Sequence, residues 1–214
     1  MKKRITAVIT ASGFGRRMGG NKLLMDFGGK PLFQYVVDTV ANYGFYEAIV
    51  VTAYDEIMGY ACKVGVDAVF NPYNAEGMAA SVRLGAEYAK DCDGIMFFTA
   101  DMPFISVSEI DRLVSAFDEH GGIIVPNVNG IRRNPVVFSS EYKNDFLSLS
   151  GEQGGRIVMN NHKNRIYQVF FDDETPFYDI DTPEDLKKFK KVLTNDFCDS
   201  IISNSKQSYS NNKV

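Results

Sequence analysis

The sequence predicts a three-layer α/β/α sandwich built on a mostly parallel sheet. Short apolar runs rich in β-branched residues alternate with stretches whose apolar residues recur at helical spacing. The runs are apolar on both faces, as strands covered on two sides are. The connections between them are long enough for right-handed crossover helices. With 214 residues, one such domain can bury a full core without disulfides. We assign residues 1–199 to that single domain and 200–214 to a tail. The tail is mostly Ser, Asn, Lys and Gln, so burial would not offset its ordering entropy, and disorder is expected there.

The elements follow in order. Ile5 to Thr10 reads as a buried strand that runs into a glycine-rich loop. After Gly29-Lys30-Pro31, the residues Leu32, Phe33, Val36, Val37 and Val40 fall on one helical face. Ala48 to Val51 is a second strand, Tyr54 to Val64 a weaker helix and Ala68 to Phe70 a short third strand. Asn71-Pro72 breaks that strand, and a helix starting near Gly77 carries Met78, Val82, Ala86 and Ala89 on one face. Ile95 to Phe98 is the strongest strand of the middle. Ser106 with Glu109 then forms a capping box for a helix whose inner face is Val107, Ile110, Leu113, Val114 and Phe117. Ile123 to Val125 is another strand, and Val136 to Phe138 is expected to pair antiparallel or at an edge. Two short helices flank Ser150 to Gly155, and Tyr167 to Phe171 is a further strand. Thr182-Pro183 starts a last helix with the stripe Leu186, Phe189, Val192 and Leu193.

Composition excludes several classes. The net charge of −4 argues against general nucleic-acid binding, which rewards a strongly basic surface. No stretch approaches the roughly 20 apolar residues that span a bilayer. The opening MKKRITAVIT has basic residues ahead of an apolar run, but the run is too short and interrupted for a secretory signal. A cytoplasmic protein is expected. Cys62, Cys92 and Cys198 are too scattered for a disulfide framework or a thiolate metal site, and with only His120 and His162 a zinc site is not expected.

The chemistry concentrates at Thr10 to Lys22, which holds four glycines, two arginines and a lysine in thirteen residues. Glycines let a backbone approach a ligand closely and the cations call for an anion, so the loop reads as one that wraps phosphates. In an open parallel sheet, ligands sit beyond the carboxyl ends of the strands. Two more loops share that edge: Asn71 to Ser81, and Thr99 to Phe104, which supplies the carboxylate of Asp101. A carboxylate beside a cationic phosphate loop suits Mg²⁺-nucleotide chemistry. Gly13, Gly15 and Gly19 miss the dinucleotide fingerprint by one residue, and Asn21 interposes where a Walker loop requires glycine followed directly by lysine.

A third pattern fits. The chain resembles the nucleotidyltransferases that mature the molybdenum cofactor, within the wider MobA-like NTP-transferase superfamily. Their LAAGxSxRMGxxK followed by GKPL is matched by Thr10 to Lys22 and Gly29 to Leu32. Their NPxxxxGMxxS is matched by Asn71 to Ser81, and their DxPF loop by Asp101 to Phe104. SGEQGGR at Ser150 to Arg156 and DIDTPEDL at Asp179 to Leu186 also match, in the right order. Ser12 stands for the second alanine, Gly15 for a usual serine and Glu152 for a common aspartate.

The resemblance implies a Rossmann-like nucleotidyltransferase fold and a set of roles. Thr10, Ala11, Ser12, Gly13, Phe14 and Gly15 would hold the base and phosphates, largely through backbone N–H groups. Asn71, Gly77, Met78 and Ser81 would line the nucleotide pocket. Arg17 and Lys22 would neutralise the phosphates that leave as pyrophosphate, and Asp101 would bind Mg²⁺, with Asp179 or Asp181 near the same centre. Guanylyl-transferring members resemble L-x-G-G at the loop start and cytidylyl-transferring members T-A-A-G. Thr10-Ala11-Ser12-Gly13 sits nearer the second, so CTP is the expected donor. The expected acceptor is the terminal phosphate of molybdopterin cofactor, with a molybdenum hydroxylase as client. Transfer to a sugar, polyol or isoprenoid-precursor phosphate is the enzymatic alternative, and a non-catalytic molybdenum-cofactor carrier the alternative of another class.

Overall fold

The computed structural model describes residues 2–13 and 21–189. The expected roles of Phe14, Gly15 and Arg17, the helical positions Val192 and Leu193, and the tail at 200–214 lie outside the described residues. Eight strands form one sheet: β1 (Ile5–Ala11), β2 (Glu47–Thr52), β3 (Asp67–Phe70), β4 (Gly94–Thr99), β5 (Ile123–Val128), β6 (Ile131–Arg132), β7 (Val136–Ser139) and β8 (Ile166–Phe171). The order β3-β2-β1-β4-β7-β5 continues into β8 along one side of β5, while β6 shares the other side with β7. β1 pairs parallel with β2 and β4, as β5 does with β8; β7 runs against both of its neighbours.

Thus β7 is antiparallel, as one expectation had it, but it lies inside the sheet and not at its edge. Because it reverses direction between β4 and β5, those two strands point the same way. The ends of β1, β4, β5 and β8 therefore share one rim with the start of β7.

The helices are α1 (Leu32–Tyr43), α2 (Asp55–Lys63), α3 (Met78–Tyr88), α4 (Val107–His120), α5 (Lys143–Leu147), α6 (Gly155–Asn161) and α7 over 183–189. Alternation along β1 sends Ile5, Ala7 and Ile9 into one core with α1, α2 and α4, and Val8 into another with α3, α5 and α6. That is the three-layer sandwich. α3 lies so close to β1 that a Cβ on Gly85 would come 2.3 Å from Val8 Cγ1, which explains a glycine inside this helix. A small third cluster, Phe27, Leu32, Ile180 and Phe189, fastens the segment after β8 against the start of α1.

The Ser106–Glu109 capping box is present, and Thr182 with Asp185 forms a reciprocal one: Asp185 N–H donates to Thr182 Oγ1 and Thr182 N–H to Asp185 Oδ2. Val107, expected on an inner face, is not buried, and Met78 is the exposed member of its helical face. Val107 is 44% exposed because it opens the first turn of α4, before the helix meets the sheet. Met78 is 50% exposed because it opens α3 at the pocket rim.

Candidate active site

A cavity of about 320 Å³ opens at the rim where β1 and β4 end. Of the residues singled out above, Thr10, Ser12, Gly13, Lys22, Gly77, Met78, Ser81 and Asp101 line it. They come from the end of β1, the 3-10 turn Lys22–Leu24, the start of α3 and the turn after β4. The sheet sets this convergence: β1 lies between β2 and β4, so its loop faces those of both neighbours.

One end of the cavity is charged. Asn21 Oδ1 caps the Lys22–Leu24 turn by accepting from Leu23 N–H (3.1 Å), and buried Leu23 anchors it. The turn thereby delivers the Lys22 ammonium to Asp101 Oδ2 and Asp181 Oδ1, each at 2.7 Å. The Lys22 and Asp101 side chains are only 15% and 16% exposed. Burial would lower the lysine's pKa, but the field and hydrogen bonds of Asp101 and Asp181 outweigh it and hold Lys22 above its ordinary value.

Asp181 and Asp179 reach this place from far along the chain because Ile180 N–H donates to the Asp101 carbonyl (3.0 Å) while the Ile180 side chain is buried in the third cluster. Thr99 Oγ1 donates to Asp179 Oδ1 at 3.1 Å. Burial, then the Asp101 carboxylate, push the Asp179 carboxyl up to about 7 against the opposing Thr99 bond. Asp101 Oδ1 is buried and has no partner among the described residues. Three carboxylates among the described residues thus face one ammonium here, an excess of negative charge that an entering triphosphate would have to bring a cation to offset. Among the described residues no three acidic, histidine or cysteine side chains form a ready metal cage. Magnesium does not require one, since it usually takes one or two carboxylates and completes its shell with phosphate oxygens and water. The all-oxygen donor set and the unpartnered Oδ1 suit such a hard cation.

The other end is neutral. Asn71 is fully buried behind the wall and does not line the cavity. Its Nδ2 donates to Ser81 Oγ (3.0 Å) and Ser12 Oγ (3.3 Å), and its Oδ1 accepts from Tyr73 N–H (2.9 Å). The Ser12 hydroxyl donates to the Val51 carbonyl at 3.2 Å. Ala11 is buried too, its carbonyl accepting from Thr52 Oγ1 (2.9 Å). Tyr54 donates to the Gly13 carbonyl at 3.0 Å and so steadies the exit of β1.

The wall between the two ends is closed by the loop before α6. Gly77 has φ +99°, and a Cβ there would stand 2.6 Å from the Gly151 carbonyl oxygen, so only glycine lets the two backbones meet. Ala79 N–H donates to that same oxygen at 3.0 Å, and Glu152 Oε2 accepts from Met78 N–H at 3.4 Å. Glu152 therefore lines the cavity at the start of α3, where a negative charge is favoured. Sequence reasoning gave it no role, although its SGEQGG setting marked the loop. Thr99, the last residue of β4, was also passed over; its place at a strand's carboxyl end was the available signal.

The description "MobA-like NTP transferase domain" matches residues 7–166. The chain is 29% identical over 187 residues to the molybdenum cofactor guanylyltransferase of Vibrio atlanticus (strain LGP32), covering 85% of this chain and 93% of the relative. It is 25% identical over 195 residues to the molybdenum cofactor cytidylyltransferase of Escherichia coli (strain K12), covering 89% and 97%. A nucleotidyl transferase from Methanothermobacter thermautotroptrophicus superposes with a TM-score of 0.74 at 23% identity, covering 89% of this chain and 98% of that one. The chain belongs to the MobA-like NTP transferase family and is an enzyme of the nucleotidyltransferase kind.

Proposed function

We propose that this MobA-like NTP transferase moves CMP from CTP to the terminal phosphate of a molybdopterin-type cofactor and releases pyrophosphate. Support for nucleotidyl transfer comes chiefly from one observation: Lys22 held at 2.7 Å from both Asp101 and Asp181 at the mouth of a nucleotide-sized cavity. The relatives' work on molybdenum cofactor supports the acceptor. The loop start Thr10-Ala11-Ser12-Gly13 supports CTP over GTP.

The acceptor phosphate is already anionic at neutral pH, so no side chain needs to remove a proton from it. One of its oxygens bonds to the α-phosphorus, the α–β bridging P–O bond breaks, and pyrophosphate leaves with the bonding electrons. The protein's part is in-line positioning and neutralisation of the charge that builds on the leaving group. Lys22 has three N–H donors, two of which are used by Asp101 and Asp181, and the third has no partner among the described residues and would serve a phosphate oxygen. Gly13 brings backbone close to the phosphates, while Ser12 and Ser81 bound the base. Asp101, through the Oδ1 that has no partner among the described residues, with Asp179 and Asp181 beside it, would hold Mg²⁺. When bound, the ion supplies charge neutralisation and a template for the phosphates. In this reading the product serves a molybdenum hydroxylase. The carrier alternative is disfavoured because a protein that only delivers cofactor has no use for Lys22 and Asp101 beside a triphosphate-sized cavity.

The test is incubation of the protein with CTP, GTP, ATP or UTP, Mg²⁺ and purified molybdopterin cofactor, followed by pyrophosphate release. Turnover with CTP foremost is the expected result. Preference for GTP would overturn the donor assignment alone. Absence of turnover with every nucleotide, together with absence of any nucleotide-dependent thermal shift, would overturn the enzyme assignment.

A further inference from the structure

The neutral end of the cavity holds a chain of hydrogen bonds whose direction is fixed. Tyr73 N–H can only donate, and it reaches one atom of the Asn71 side-chain amide at 2.9 Å. That atom must be Oδ1, so the other, facing both serines, is the NH₂ group, which can only donate. Ser12 and Ser81 are therefore both acceptors toward Asn71, and each must direct its own proton elsewhere. Ser12 gives its proton to the Val51 carbonyl. Among the described residues the Ser81 proton has no acceptor, and Ser81 lines the cavity.

We infer that Asn71 is a positioning residue that orders the Ser81 hydroxyl as a hydrogen-bond donor into the nucleotide pocket. This rests on the nucleotide reading proposed above and refines it. Asn71 is 0% exposed and acts on the ligand only through Ser81. A hydroxyl left to itself can rotate to donate or accept; one held by a pure donor presents only its proton. The pocket wall then pairs with an acceptor on the base, a carbonyl oxygen or an unprotonated ring nitrogen. A base edge that offers N–H at that point meets donor against donor and is rejected, because an unpaired polar contact in a closed site costs more than a good one gains.

A double-mutant cycle read by calorimetric titration of CTP with Mg²⁺ into the full chain tests this. Ser81→Ala is expected to weaken binding about tenfold, or about 1.4 kcal/mol. Asn71→Asp keeps the shape and the Tyr73 bond but offers the serines an acceptor, turning the Ser81 proton away from the pocket. It is expected to weaken binding about as much, and Ser81→Ala added to it to cost less than about threefold. If Asn71→Asp does not fold, Asn71→Ala serves, because it frees the hydroxyl to rotate and again shrinks the cost of Ser81→Ala. An equal cost of Ser81→Ala in the wild-type and Asn71-variant backgrounds would overturn the inference and leave Asn71 a purely structural residue. So would a wild-type-like affinity in Ser81→Ala. Either result, in a protein that still binds CTP, overturns this inference alone; a wild-type chain that binds none of the four nucleotides overturns the nucleotide reading with it.

Discussion

The two ends of the cavity are built on opposite terms. At the neutral end, Asn71 and Ser12 are paired and buried, and of the three side chains there only Ser81 keeps an unassigned proton. At the charged end, three carboxylates surround one ammonium among the described residues, an oxygen of Asp101 has no partner among them, and Asp179 is pushed up to about 7. Apart from the Ser81 proton, the neutral end is paired before a ligand arrives, while among the described residues the charged end becomes balanced only when one does. On the function proposed above the two ends would do different work: the first would select, because its geometry does not yield; the second would drive transfer, because it gains most from charges that enter with the substrate.

Four measurements can break or sharpen that contrast. Asp101→Ala, at the charged end, should lower pyrophosphate release by about three orders of magnitude. Its circular dichroism should stay native, because one of several crowded carboxylates has gone; activity within tenfold of wild type would remove Asp101 from the centre. Lys22→Met should lower turnover by about a hundredfold and cost the metal-free protein on the order of 1–3 kcal/mol in urea unfolding at pH 8. The stability loss should shrink at pH 5, where Asp179 is protonated, and a pH-independent loss would mean that Lys22 does not balance this group.

Gly77→Ala probes the wall that holds the neutral end rigid. Its positive φ and the 2.6 Å approach to Gly151 should make it lose about 2–3 kcal/mol by urea unfolding. A near-neutral result would show that the loop at 150–154 gives way easily, and that this end is less fixed than its packing implies.

The last measurement concerns pH. With its folded pKa raised to about 7, Asp179 keeps a proton that the unfolded chain has already released, so the metal-free fold should lose stability as pH rises from about 4 to about 7 and no further. About three pKa units at about 1.4 kcal/mol each bound that loss at about 4 kcal/mol relative to Asp179→Asn, which removes the titration. Identical pH profiles of the two proteins would count against the crowding of carboxylates at this end.

Much of this was readable in the residues because it is local. Apolar runs gave the strands, helical spacing gave the helices, and Ser106 with Glu109 gave a cap. The pocket loops were legible because sheet direction alone sends the ends of β1 and β4 to one rim. What was missed is non-local. The two residues of β6, Ile131 and Arg132, are both exposed and carry no periodic signal. The four of β7 show an extended run but not the neighbours it chooses, so its place inside the sheet was hidden. Asn71 was expected among residues lining the nucleotide, yet it stands behind them, since a motif records a residue's presence and not its depth. Phe14, Gly15 and Arg17 lie outside the described residues.

The bond from Ile180 N–H to the Asp101 carbonyl joins segments 79 positions apart in the chain. During synthesis at roughly 5–20 residues per second, Asp101 emerges several seconds before Asp179 and Asp181 exist. For that interval a nascent chain can pair β1, β2, β3 and β4 and bury Asn71, yet Lys22 has only one of its two carboxylate partners. The growing polypeptide thus lays down the floor of its hollow first, gains the wall at 150–154 next and completes the charged end last.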